Sequence, residues 1–172
     1  MFRFSSIALL GCLGLAGCDQ DKGDTAEEEA LVLPQAGDWT IVTTGFTNDD
    51  CNAEGFLIPP DLITFADVGA DSFSITYYLD NERIGDGSSS CTHAGENSFD
   101  CEDMNHTTMF SDSATITMVG GGSVNVTSET EASGAGNLVL DCTGMGCGQV
   151  EAMTNTGSIP CDTTINWTAT VE

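Results

Sequence analysis

Cysteine and histidine are the side chains of this sequence whose types and spacing could do chemistry. The chain has eight cysteines and two histidines. Six of the cysteines lie in the body of the chain: Cys51, Cys91, Cys101, Cys142, Cys147 and Cys161. Thiolates and imidazoles bind zinc, and Cys91-x-His93 with Cys101-x4-His106 supplies four possible ligands. The competing use is three disulfides, which the even number of cysteines favours.

The N-terminus indicates which of these uses applies. Arg3 precedes an apolar run, residues 4–17, which is too short to cross a bilayer but suits a signal peptide. Leu15-Ala16-Gly17-Cys18 resembles the lipobox of bacterial lipoproteins. The resemblance implies that residues 1–17 are a signal peptide that is removed, and that the sulfur of Cys18 carries a diacylglycerol. The rest of the chain then lies outside the cytoplasm, where disulfides form, so we predict three disulfides and no metal site.

The pairing of the six body cysteines is only partly determined by their spacing. Cys91 and Cys101 flank a short segment that contains Gly and Asn, so we pair them. Two arrangements of the others stay open: Cys142–Cys147 with Cys51–Cys161, or Cys147–Cys161 with Cys51–Cys142.

Residues 18–35 are predicted to form the lipidated cysteine and an acidic tether. This segment holds six carboxylates against Lys22 and has no apolar periodicity, as is typical of a solvated, extended chain. Asp19 resembles the inner-membrane retention signal of enteric bacteria, whereas the acidic tether resembles the surface-export signals of some lipoproteins. We predict a lipid anchor in a bacterial envelope, at the outer membrane or cell surface rather than the inner membrane.

The charge of the chain limits its partners. Three Lys and Arg stand against 27 Asp and Glu, which gives a formal net charge of −24. Such a surface repels nucleic acid and anionic lipid headgroups, so neither is expected as a partner. Two acidic segments, residues 48–54 and Asp80 to Asp86, faintly resemble calcium loops, but we interpret them as surface turns and expect no cofactor, with calcium as the alternative.

No catalytic constellation is recognisable, so we do not predict an enzyme. A nucleophilic hydrolase needs a Ser, Cys or Thr beside a base, and only His93 and His106 are available as imidazole bases. Ser88, Ser89 and Ser90 lie close to His93, but this stretch is predicted to be a loop held by a disulfide. No Gly-x-Ser-x-Gly motif occurs.

The elements that must position these residues are predicted to be strands. Apolar and polar residues alternate in "DSFSITYYLD" (residues 71–80) and "TTINWTATVE" (residues 163–172), which is typical of half-buried antiparallel strands. A hairpin is predicted at Gly120-Gly121-Gly122, and a short helix from Cys147. The pattern gives about eight strands, and therefore an all-β domain that is an antiparallel sandwich or barrel.

Gly37-Asp38-Trp39, at the start of the first predicted strand, resembles the lipocalins. The resemblance implies an eight-stranded cup that is closed at one end by the tryptophan and holds a small apolar ligand. The arginine that packs over this tryptophan in lipocalins has no counterpart in Thr163 to Glu172, and the long helix after the barrel is also missing. These differences favour the sandwich.

The sequence therefore predicts a lipid-anchored lipoprotein whose residues 36–172 form a disulfide-linked β domain. Its expected role is that of an interaction or structural module of the envelope, which contacts the membrane through Cys18 and binds a surface protein or glycan. The alternative is a lipocalin-like carrier of a small apolar molecule. An apolar cavity would favour the carrier, and a filled core with an exposed patch would favour the module.

Overall fold

The computed structural model describes residues 30–156 and 158–171. The predicted signal peptide, Cys18 and the tether up to residue 29 lie outside the described residues. A short 3-10 helix at Ala53–Gly55 follows the first strand, and one α-helix, α1 (Cys147–Thr154), precedes the last. The strands are β1 (Gly37–Thr47), β2 (Leu62–Ala66), β3 (Ser72–Leu79), β4 (Glu82–Gly95), β5 (Ser98–Ser111), β6 (Ala114–Ser128), β7 (Glu131–Thr143) and β8 (Cys161–Val171).

The eight strands form a closed antiparallel barrel in which each strand pairs with the next along the chain. The last strand closes the barrel, because β8 pairs with β1 from Trp39–Val171 to Thr47–Thr164. Of the two predicted architectures the barrel is therefore confirmed, and the preference for a sandwich was wrong. Closure gives both terminal strands a partner and leaves no free sheet edge there.

Alternation along the strands separates the inside of the barrel from the outside, as predicted. In β8 the side chains of Trp167 and Ala169 are buried, whereas Thr168 and Thr170 are exposed. The main core lies inside the barrel and comprises Trp39, Ile41, Ile63, Phe65, Phe73, Ile75, Cys91, Phe99, Val124, Val126, Ala132, Trp167 and Ala169.

The predicted hairpin at Gly120-Gly121-Gly122 was wrong. These residues lie within β6, which pairs with β5 and β7 on either side of them. They allow close approach of neighbouring strands rather than a turn, since a Cβ atom at Gly122 would lie 2.9 Å from the Cα of Gly136 and would overlap with the carbonyl oxygen of Ala135. The number of strands is still eight, because the segment predicted as a serine-containing loop is the strand β4.

The six body cysteines form the three predicted disulfides. Cys91–Cys101 joins β4 to β5, as expected from the sequence. The arrangement of the other four is Cys51–Cys161, which joins the segment after β1 to the start of β8, and Cys142–Cys147, which joins β7 to α1. This is the first of the two arrangements left open above.

Candidate ligand-binding cavity

Aromatic side chains fill one half of the barrel interior. The ring centroid of Trp39 lies 4.8 Å from that of Phe65, and the rings are edge to face. The series continues to Phe73, 5.2 Å from Phe65, and to Phe99, 4.6 Å from Phe73. Such tilted and edge-to-face contacts between large apolar side chains leave little free volume in this half.

The segment before β1 closes this end of the barrel. Leu31, Val32 and Leu33 pack against the aromatic cluster. The indole Nε1 of Trp39 donates a hydrogen bond of 2.9 Å to the backbone oxygen of Gln35. The backbone N–H of Val32 donates to Oδ1 of Asn97, in the β4–β5 turn, at 2.9 Å. Trp39 thus lies at a closed end of the barrel.

The other half of the barrel interior holds an apolar cavity in two adjoining parts. The larger part has a volume of about 290 Å³ and the smaller part, nearer to Trp167, about 120 Å³. The two parts adjoin because they share six lining residues: Pro60, Tyr77, Met104, Gly120, Leu138 and Ile165. Small-molecule sites are typically apolar clefts of about 300–1,000 Å³, so the cavity lies at the lower end of this range.

Glycines in β6 and β7 create part of this space. Gly120 and Gly136 line the smaller part of the cavity. A Cβ atom at Gly136 would have no heavy atom nearer than the backbone oxygens of Gly121, at 3.9 Å, and Ile165, at 4.0 Å. Two residues earlier the space is filled, because a Cβ atom at Gly134 would overlap with the ring of Trp167. Trp167 therefore forms the floor of the cavity.

The segment between β1 and β2 lies over the open end of the cavity. Leu57, Ile58, Pro59 and Pro60 line the larger part, and Ile58 is 70% exposed, which marks the border with solvent. The segment is held by Cys51–Cys161 and by Asp49, whose Oδ1 accepts a hydrogen bond of 2.7 Å from the backbone N–H of Ala53.

Tyr77 supplies a polar group in the apolar wall. Its side chain lines both parts of the cavity, and no described residue forms a hydrogen bond with its hydroxyl. Burial raises the pKa of Tyr77 to about 12, because the phenolate would lose its hydration inside the barrel. Part of the Tyr77 side chain is still accessible. This agrees with the raised pKa if the accessible part faces the cavity rather than bulk water.

Strand pairing is incomplete beside the cavity. β4 and β5 pair only between Cys91–Gly95 and Ser98–Cys101, next to the closed end. Beyond the Cys91–Cys101 disulfide the strands continue without ladder pairs to each other, although Oγ of Ser89 donates to the backbone oxygen of Glu102 at 2.5 Å. We call this unpaired stretch, Glu82–Ser90 beside Glu102–Ser111, the β4–β5 seam.

The residues considered for zinc do not form a metal site. Cys91 and Cys101 are bonded to each other. His93 is exposed near the closed end, where its Nε2 lies 2.7 Å from the backbone oxygen of Glu96. His106 is half-buried and lines the larger part of the cavity. The two histidines are therefore not brought together.

The other candidate residues from the sequence are also separated or locally engaged. Both carboxylate oxygens of Asp49, in the first acidic segment, accept backbone N–H groups, from Ala53 and Glu54. Ser88, Ser89 and Ser90 lie in β4 and not in a loop. Within residues 30–156 and 158–171 no group of three or more His, Cys, Asp or Glu side chains is arranged to hold a metal ion.

The fold and the cavity together define an eight-stranded antiparallel barrel with an apolar internal site. No family model, no curated protein and no solved structure matches this chain. In the part of the chain that the structure describes, no helix has the length and apolarity that spanning a bilayer requires.

The cavity was not located by sequence analysis. Tyr77 and Ile165 lie in segments whose alternation predicts strands, but nothing in the pattern distinguishes them from core residues. The signal that could have located it is the pair of glycine-rich stretches, "GGG" in β6 and "GAG" in β7, which pair with each other at Gly122 and Gly136. Adjacent glycines on neighbouring strands remove side chains from one patch of the wall.

Proposed function

We propose that this protein binds and carries a small apolar molecule in its barrel. The observation that carries the proposal is the cavity, which is lined by inward-facing apolar residues of several strands, among them Met104, Met118, Leu138 and Ile165. Atoms that line an empty apolar space lose packing partners, so such a space lowers stability. A barrel with about eight strands can fill its interior with side chains or hold one small ligand, and half of this interior is not filled.

The cellular setting belongs to the same proposal and is supported by the sequence. The lipobox-like Leu15-Ala16-Gly17-Cys18 supports a lipid on Cys18, and the acidic segment after it supports a tether to a bacterial envelope membrane. The three disulfides are compatible with folding outside the cytoplasm. A lipid-anchored carrier would pass its ligand along or across the envelope, with no catalytic step.

A role as an interaction module is the second candidate, favoured by exposed apolar side chains. Met109 and Phe110 lie at the end of β5, Met145 lies between β7 and α1, and Met153 lies in α1. All four are at the end of the barrel opposite Trp39. A surface protein or glycan bound there would lie near the open end of the cavity.

Binding of N-phenyl-1-naphthylamine, an uncharged probe that fluoresces in apolar surroundings, tests the carrier. We expect saturable binding of one probe per chain by the oxidised protein, purified without detergent. Gly136→Leu should weaken this binding at least tenfold, because the new side chain extends into space that is now empty.

Gly148→Leu is the matched control. Gly148 lies in α1, outside the cavity, and a Cβ atom there would meet nothing within 4 Å, so probe binding should be unchanged. If the folded wild-type protein shows no saturable binding, or if Gly136→Leu folds and binds as well as the wild type, the carrier proposal is wrong.

A further inference from the structure

The walls of the cavity contain no permanently charged side chain, and His106 is the one lining residue that can become a cation. None of the residues that line its two parts is Lys, Arg, Asp or Glu. Arg83 is the one Lys or Arg within residues 30–172, and it lies on β4 opposite Tyr78, on the outer face of the barrel. A carboxylate, sulfonate or phosphate in the cavity would therefore lose its hydration without gaining a Lys or Arg partner, and a neutral His106 imidazole would not replace one.

The charged surface around the cavity also disfavours the binding of anions. Glu82 and Asp86 of β4 and Glu102 and Asp103 of β5 are exposed along the β4–β5 seam. With a net charge of −24, the chain produces a negative potential that lowers the local concentration of anions. An apolar cation would be attracted to this surface, but the wall has no carboxylate to pair with it once it is buried.

The hydroxyl of Tyr77 is available to a molecule in the cavity, since among the described residues only Thr163 Oγ1 is both fully buried and unpartnered. The Tyr77 hydroxyl has no hydrogen-bond partner among the described residues, and a phenylalanine would line the same apolar wall without a polar atom. A hydroxyl that opens on an apolar cavity can orient a bound molecule, as the few polar groups of apolar ligand sites do. A ligand with a polar group that reaches Tyr77 would supply the missing bond.

We propose that the cavity selects uncharged apolar molecules that carry one hydrogen-bonding group, that the Tyr77 hydroxyl is the partner of this group, and that anionic amphiphiles are excluded. The inference rests on the carrier proposal and adds the chemical class of the ligand. Fatty acids and other apolar carboxylates fall outside this class, whereas apolar alcohols, phenols, ketones and amides fall within it.

The charge selection is tested with two probes that share one ring system. N-phenyl-1-naphthylamine is uncharged, and 1-anilinonaphthalene-8-sulfonate is the same skeleton with a sulfonate. At pH 8 and low salt we expect the sulfonate to bind at least tenfold more weakly to the folded protein. In 0.5 M NaCl part of the difference should persist, since salt screens the surface potential but not the loss of hydration inside the barrel. Equal binding of the two probes at low salt would overturn the charge selection and leave the carrier proposal intact.

The role of Tyr77 is tested with 1-naphthol and naphthalene, which differ by one hydroxyl. Tyr77→Phe should weaken 1-naphthol binding about two- to tenfold, the range for one net hydrogen bond, and leave naphthalene binding unchanged. Tyr78→Phe is the matched control, because Tyr78 is on the opposite face of β3. An equal effect of Tyr77→Phe on both ligands, or no effect on either, would overturn the assignment of Tyr77 as the hydrogen-bond partner. A loss of 1-naphthol binding in His106→Leu, but not in Tyr77→Phe, would also overturn it. Failure of all of these ligands to bind would instead overturn the carrier proposal itself.

Discussion

Thr163 is a buried residue whose hydroxyl lacks a partner. Its side chain is 2% exposed, and among the described residues no group forms a hydrogen bond with Oγ1. It lies in β8 opposite Leu138, between Cys161 and the cavity-lining Ile165. An unpaired hydroxyl in an apolar interior lowers stability by about 1–3 kcal/mol.

Thr163→Val should therefore raise the free energy of unfolding by about 1 kcal/mol, since valine keeps the shape and removes the unpaired oxygen. Urea unfolding with an unchanged m-value is the measurement. Thr154→Val is the control and should lower stability, because the Thr154 hydroxyl donates to the backbone oxygen of Val150 at 2.8 Å. A loss of stability in Thr163→Val would show that a bound water satisfies this hydroxyl.

Tyr77 should make the free energy of unfolding depend on pH in the alkaline range. Its pKa is raised from 10.0 to about 12 in the folded protein, so between these values the unfolded chain has lost a proton that the folded chain retains. The unfolded state then binds fewer protons, and stability falls as pH rises through this window, while below it the contribution is fully present.

Comparison of urea unfolding at pH 9 and pH 11 measures this effect. The wild type should lose more stability than Tyr77→Phe over this interval, and Tyr78→Phe should behave like the wild type. If Tyr77→Phe loses as much stability as the wild type, the phenol of Tyr77 faces bulk water and does not line a desolvated cavity.

Among individual residues, the sequence predicted those whose role follows from their chemical type. The six body cysteines could be identified as disulfide partners because their number is even, and Cys91–Cys101 could be paired because the two residues are close in sequence. Tyr77 and Thr163 could not be distinguished from neighbours in the same alternating pattern. Whether a hydroxyl in a strand finds a partner depends on the strands beside it, which the sequence does not specify.

The adjoining strands β6 and β7 determine how the barrel interior is divided. Gly134 accommodates the ring of Trp167, and Gly136, two residues along the same strand, faces open space. The absence of a side chain thus has opposite consequences at these two positions. Gly134 leaves room for the Trp167 ring that forms the floor of the cavity, and Gly136 leaves the space above this floor empty.

Gly134→Ala should lower the free energy of unfolding by about 1–3 kcal/mol, because the new methyl group overlaps with the Trp167 ring and lies 2.8 Å from the backbone oxygen of Ser123. Gly136→Ala is the matched control and should be neutral or slightly stabilising, since its Cβ has ordinary contact distances. Thermal or urea unfolding of the pair tests this. Equal stabilities would mean that Trp167 can move, and that the floor of the cavity is not fixed.

The strands themselves were largely predictable, but their boundaries at glycine were not. β3 and β8 were recognised because their apolar residues alternate without interruption. β4 was missed because Gly and Ser occupy positions where an apolar side chain would signal a strand, and because its register shifts between Ile75 and Tyr77 of β3. The glycines of β6 were read as a turn, since close approach of two strands and a tight turn use the same residue.

On the scale of the whole molecule, covalent links take the place of ion pairs. The described part of the chain has one Lys or Arg, Arg83, so opposite charges can contribute little to its stability. Three disulfides connect the barrel instead, and they close chain segments of very different length. Cys51–Cys161 spans 110 residues and Cys142–Cys147 only 5.

Replacing both cysteines of a disulfide with alanine should therefore affect stability unequally. In the chain-entropy description, loss of Cys51–Cys161 costs about 4–5 kcal/mol and loss of Cys142–Cys147 about 2 kcal/mol. Unfolding in urea of the two double variants, each with its other disulfides intact, gives the comparison. If loss of Cys142–Cys147 is the more damaging, the position of α1, rather than the restriction of the unfolded chain, is what that disulfide provides.

For the whole molecule, the sequence predicted an all-β domain but did not distinguish a closed barrel from a sandwich. The alternation of apolar and polar residues requires a buried face, which both a sandwich and a barrel provide. The choice depends on whether β1 pairs with β8, and this contact joins the two ends of the domain. Local patterns carry no information about such a pair, so the closure of the barrel emerges only from the three-dimensional structure.

The β4–β5 seam has a consequence for how the barrel moves. Backbone amides on either side of the seam have fewer ladder bonds to hold them, so they should exchange with deuterium faster than those between β6 and β7. The two strands can separate along the seam without breaking a disulfide. Cys91–Cys101 lies at the end of the seam next to the paired residues, so it would hold the strands together there. A molecule held in the cavity would then escape at the rate of this local breathing, and its residence time would be independent of the much slower unfolding of the barrel.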